Sequence, residues 1–107
     1  MILNDGGDLV LMGYKSEDMG VVVHTLNGGC TEVLGGVITL GHTGDAAFLV
    51  EDAQLRIATA SQGWLSDAYH ITAIRQIVNG RKYELQSNEL PFRGFDKSRG
   101  PQSVIPL

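Results

Sequence analysis

Apolar residues fall along this chain in short runs, each closed by a tight polar or glycine-rich segment. The runs are Leu9–Tyr14, Val21–Leu26, Thr31–Leu34, Val37–Leu40, Ala46–Val50 and Leu55–Thr59, all rich in β-formers. Between them lie Asp5-Gly6-Gly7, Asn27-Gly28-Gly29, Gly41-His42-Thr43-Gly44 and Glu51-Asp52-Ala53. These are turn residues, because Gly and Asn reach the positive φ values that sharp corners demand. The pattern predicts short strands joined by tight corners.

The pattern also repeats. Moving Leu3–Gly13 along by 23 residues lays it on Leu26–Gly36 with six identities: Leu3/Leu26, Asn4/Asn27, Gly6/Gly29, Val10/Val33, Leu11/Leu34 and Gly13/Gly36. A further step of 24 brings Val33 to Ile57 and Leu34 to Ala58, with the apolar pattern kept and the identities gone. Helical repeats need longer periods and fewer glycines, and the dense leucines of a leucine-rich repeat are missing. The reading is a short parallel β-solenoid of about three coils, with a small antiparallel β-sandwich or barrel as the alternative. On this register Leu11, Leu34 and Ala58 form one stacked row, and Val10, Val33 and Ile57 the other. Leu34 is then expected inside the core.

The chain divides as one domain: coils over 1–62, a capping hairpin over 63–86 and an extended tail over 87–107. Residues 66–78 carry two readings. Leu65, Ala68, Ile71, Ile74 and Ile77 fall at helical spacing, with Ser66 as N-cap. The same stretch is β-favouring, and Asn79-Gly80 before Lys82–Leu85 is a strong hairpin signal, so a hairpin is favoured. The tail holds Pro91, Pro101 and Pro106, with Phe92, Phe95, Val104 and Ile105 available for burial.

Composition narrows this further. The chain has 107 residues, and its 14 glycines argue for many turns and against a helical bundle. Cys30 is its one cysteine, so no intramolecular disulfide forms. The opening Met1–Gly7 lacks a basic n-region and a long apolar run, so no signal peptide is expected and the cytoplasm is the default location. The net charge of −4 argues against general nucleic-acid binding. That charge is split. Residues 1–67 set nine acids against Lys15 and Arg56, a balance of −7. Residues 68–107 set Glu84, Glu89 and Asp96 against Arg75, Arg81, Lys82, Arg93, Lys97 and Arg99, a balance of +3. A basic tail lying on an acidic body, its own or a neighbour's, is one reading of the split.

Candidate chemistry is sparse. His24, His42 and His70 lie far apart without ligand spacing, so neither a metal nor another cofactor is expected. Cys30 reads as a small structural residue at a corner. Glu17-Asp18 and Glu51-Asp52 are the only carboxylate pairs with any claim to glycoside chemistry, but neighbours on a strand face opposite ways and turn acids are usually solvated. Asp5, Asn27 and Asp52 occupy similar corners and could stack; turn formation accounts for all three. Trp64, with Tyr69 and His70 after it, offers a surface for a sugar ring or a cap on the core.

The runs Gly13–Glu17, Val21-Val22-Val23 and Asn27–Gly36 resemble the last coils of right-handed parallel β-helix proteins of the pectate-lyase-like superfamily. Tyr83-Glu84-Leu85 through Glu89–Gly94 resembles the short extension after those coils. The resemblance covers roughly residues 5–95. It implies a right-handed β-helix, and it implies carbohydrate-related activity only for full-length members, whose catalytic acids sit on middle coils. No catalytic residue is carried over to this chain.

Two functions follow as expectations. The first is a non-catalytic structural or interaction module that self-associates, most simply as a two-fold homodimer, because a solenoid has an open strand edge at each end. The second is a polysaccharide-binding or polysaccharide-degrading β-helix protein, or a fragment of one. If it is an enzyme, it is a polysaccharide lyase or glycoside hydrolase. Its ligand would meet Glu17, Asp18, Trp64, Tyr69 and His70. Neither reading involves nucleic acid or membrane.

Overall fold

A computed structural model describes residues 1–16, 20–40, 46–63, 72–86, 89, 92–96 and 100–105. These residues form an all-β protein of eleven strands. They are β1 (Ile2–Asp5), β2 (Asp8–Met12), β3 (Lys15–Ser16), β4 (Val23–Leu26), β5 (Cys30–Leu40) and β6 (Phe48–Glu51). After them come β7 (Gln54–Gly63), β8 (Thr72–Val78), β9 (Arg81–Gln86), β10 (Phe92–Asp96) and β11 (Gly100–Ile105).

Two mixed sheets share one core. The first has the order β1-β4-β6-β8-β9, and the second β10-β11-β7-β5-β2, with β3 also paired to β5. Up to β8 the chain passes back and forth between the sheets, with β2 and β3 together in the second, and the pairings among these strands are parallel. Each sheet then finishes with antiparallel strands: β9 on β8 in the first, and β11 on β7 followed by β10 in the second. A purely antiparallel sandwich is therefore not the architecture. The segment read as an extended tail supplies β10 and β11 and docks through main-chain pairing.

Side-chain alternation decides what each strand buries. In the first sheet the inward row runs Ile2–Val23–Phe48–Ile74, and in the second Leu11–Val33–Ile57. Val23, Phe48, Val33 and Ile57 have lost nearly all solvent contact and form the centre of the core with Val22, Ile38, Ala47 and Ala73. The outward row of the second sheet is Met12–Leu34–Ala58.

This corrects the register expected from the repeat. Leu34 pairs with Ala58 as anticipated, but its other neighbour is Met12, and Leu11 stacks on Val33. A one-residue slip moves every side chain to the other face. Val33 is therefore fully buried and Leu34 lies outside, half-buried. The repeat laid Asn4, a strand residue that pairs with Thr25, on the corner residue Asn27, an offset of 23. Paired residues differ by 21 between β1 and β4 and by 22 between β2 and β5, because the Asn27-Gly28-Gly29 corner holds one residue more than Gly6-Gly7.

The corners stack. Gly6, Asn27, Gly28, Asp52, Asn79 and Gly80 all have positive φ. Gly6 N–H donates to Leu26 O, Gly28 N–H to Asp52 O, and Asp52 N–H to Ile77 O. The last corner is a hairpin turn, with Val78 paired to Arg81. The helical reading of 66–78 therefore fails over 72–78; the preceding residues lie outside the described set.

A second irregularity sits opposite. Gly35 and Gly36 form a bulge in β5 where its pairing with β7 shifts register between Leu34 and Val37. Gly36 has φ 80°, and a Cβ there would collide with the Tyr14 main chain. Thr59, buried opposite the bulge, donates its hydroxyl to Gly36 O at 3.0 Å.

Candidate functional site

The residues singled out for a polysaccharide site, Glu17, Asp18, Trp64, Tyr69 and His70, all lie outside the described residues, as does His42. The remaining candidates can be placed. His24 points outward from β4, and its Nε2 lies 2.8 Å from Glu51 Oε2 on β6. Asp52, next in sequence to Glu51, turns the corner with φ 45° and accepts the Asn79 amide on Oδ1 at 2.8 Å. The pair Glu51-Asp52 is thus split between an outward hydrogen-bond partner of His24 and a corner. Asp5 Oδ1 accepts Asn27 Nδ2 at 2.7 Å, so two of the three corner residues do meet. Among the described residues no group of three His, Cys, Asp or Glu is arranged to hold a metal. Cys30 is half-buried, in the row between Asp8 and Gln54.

One polar cluster is interior. Asn4, almost fully buried at the end of β1, donates from Nδ2 to Cys30 O at 3.1 Å and to Thr31 Oγ1 at 3.0 Å. Its Oδ1 accepts Gly7 N–H, and Thr31 in turn meets Thr25 Oγ1 at 2.7 Å. Every buried group there has a partner, so the cluster fixes the first corner onto the second. Sequence reasoning did not single out Asn4, which sits beside the Asp5-Gly6-Gly7 turn.

What distinguishes the two ends of the strand stacks is their chemistry. At the first end, β1 and β2 are hydrogen-bonded on one side only among the described residues. Met1, Leu3, Val10 and Met12 are exposed there. Met12 is 78% exposed although Leu34, next in its row, is half-buried. The inward Ile2, Leu9 and Leu11 are only partly buried, whereas Val23 and Val33 beside them are covered. Exposed Asp5 and Asp8 make this end acidic.

At the opposite end of the first sheet, β9 presents exposed Arg81, Lys82 and Tyr83. Lys82 Nζ lies 3.1 Å from Glu84 Oε1, and Arg75 Nε lies 3.6 Å from the same oxygen. The Lys82 ammonium, followed by the Thr72 hydroxyl, bonds the Glu84 carboxylate and holds its pKa below the ordinary value. A shallow groove of about 160 Å³ opens among Ile74, Gln76, Tyr83, Glu84 and Leu85. Sequence reasoning did not single out these edge residues as a site. Its one pointer was the split between an acidic first part and a basic second part of the chain.

Comparisons with protein-family models, curated proteins and solved structures find no match for this chain.

Proposed function

We propose that this chain is a structural or interaction module, rather than an enzyme, and that it self-associates through the open edges of its strand stacks. The observation that carries the reading is the incomplete first level, the edge strands β1 and β2. Edge strands offer unpaired N–H and C=O groups, and proteins commonly blunt them with Lys, Pro or bulges. β1 and β2 read Ile2-Leu3-Asn4-Asp5 and Asp8-Leu9-Val10-Leu11-Met12, with none of these devices. A strand laid against them satisfies the backbone, covers Leu3, Val10 and Met12, and completes the burial of Ile2, Leu9 and Leu11.

We read the framework behind these edges as a short right-handed β-solenoid closed by antiparallel strands. Alternating, mutually parallel strands and a corner repeated at positive φ support the winding. The strong preference for right-handed crossovers between parallel strands supports its hand. Stacked levels make end-to-end addition of another copy the natural mode of association.

Sedimentation of the purified chain across the micromolar range tests the function. Self-association predicts a mass above one chain that rises with concentration. A single 11.5 kDa species throughout contradicts it.

A further inference from the structure

Resting on that self-associating reading, we infer that copies join head to tail, with β1 of one copy adding as a new strand on β9 of the next. The cross-strand rows of the first sheet lead to this arrangement. One inward row runs Ile2–Val23–Phe48–Ile74–Leu85, and the outward row at the corner runs Asp5–Leu26–Glu51–Ile77–Lys82. Continuing both by one strand places Ile2 of a second copy beside Leu85 and Asp5 of that copy beside Lys82. The first contact is apolar and joins two residues that are each half-buried in a single copy. The second sets an exposed carboxylate against an exposed ammonium, a favourable pair directly across strands. Because β9 runs antiparallel to β8, and β1 runs in the common direction of β4, β6 and β8, the new pairing is antiparallel.

The groove supports the same geometry. Its walls, Ile74, Leu85 and Tyr83, close the inward side of the sheet at β9, where the Ile2 side chain of the next copy arrives. Charge also favours this mode over the two-fold dimer expected from the sequence. Joining two β1/β2 ends brings Asp5 and Asp8 of both copies together. Head-to-tail joining instead sets that acidic end on Arg81 and Lys82. A heterologous contact of this kind does not close on itself at two copies; it builds rings or open chains.

Charge swaps test it. In sedimentation and light scattering the parent chain is expected to exceed two copies as concentration rises. Asp5→Lys alone and Lys82→Glu alone should each lose that growth, and the double variant Asp5→Lys/Lys82→Glu should regain it. Asp5→Asn and Lys82→Gln, milder at the fold, should weaken association without abolishing it; circular dichroism checks that each variant is folded. A fixed dimer, or association untouched by every single substitution, overturns the head-to-tail arrangement while self-association stands. A monomer at all concentrations overturns both.

Discussion

The edge strands β1 and β2, the first level, and their inner neighbours β4 and β5, the second, are built from similar residues and end in different states. Ile2 and Val23 are neighbours in one row, and Leu11 and Val33 in another. Val23 and Val33 are sealed, at 1% and 0% exposure, while Ile2 and Leu11 remain partly open. On the outside, Met12 is exposed where Leu34 is half-covered. Residue type does not explain the contrast, since all six are apolar. Position in the sheets does: among the described residues β4 and β5 have a strand on each side, and β1 and β2 have one. The difference locates the exposed edge among the described residues.

The sharpest way to break this comparison is a charge inside the second level. Val33→Asp leaves an unpaired carboxylate with no access to water, and about 3–5 kcal/mol of stability should be lost. Leu34→Asp, one residue along but outward, should cost only about 1 kcal/mol. Urea melts of the two variants check it, and equal losses would mean the register is wrong.

Truncation compares the levels directly. Phe48→Ala removes a sealed ring and should cost about 3–5 kcal/mol, whereas Ile2→Ala at the open level should cost about 1 kcal/mol in the dilute monomer. Calorimetry at low concentration reads both. A loss at Ile2 as large as that at Phe48 would show that the first level is already complete.

The bulge comes next. Gly36→Ala adds a Cβ against the Tyr14 main chain at a left-handed φ, so about 2–3 kcal/mol should be lost. Gly35→Ala, also left-handed but meeting only the Gly13 main-chain nitrogen at 4.0 Å, an ordinary contact, should cost less. Thermal melts that rank the two the other way would contradict the packing of Tyr14 on the bulge.

The smallest effect concerns the β8–β9 hairpin. Glu84 has a lowered pKa in the folded chain, so its contribution is complete above about 4.5, the ordinary value, and fades as pH falls through the lowered one. Glu84→Gln should therefore be less stable than the parent at pH 7, with the gap closing towards pH 3. A gap that widens on acidification would reverse the assignment of Lys82 and Thr72 as its partners.

Much of this architecture was legible in the residues. Short β-rich runs gave the strands, Asn79-Gly80 gave the hairpin, and the glycine and asparagine corners gave the turns at positive φ. Register was not legible, because a three-residue corner at Asn27-Gly28-Gly29 and two-residue corners elsewhere share the same residue types. Asn4 was equally opaque: an Asn beside Asp-Gly reads as solvent-facing turn, and only the arrival of Thr31 and the Cys30 carbonyl makes it interior. The edge chemistry needed the cross-strand rows. Nothing in sequence order places Asp5 and Lys82 at the two ends of one row.

Hydrogen exchange at β1 tests the central claim most directly. Ile2 N–H bonds to Val22 O, so the alternating Leu3 and Asp5 amides face the open edge. Measured at low and then at high protein concentration, these two amides should gain protection as copies associate, while the Val33 amide stays protected throughout. Leu3 and Asp5 amides that exchange at the same rate at both concentrations, in a sample whose mass has risen, would contradict the claim that this edge is the joining surface.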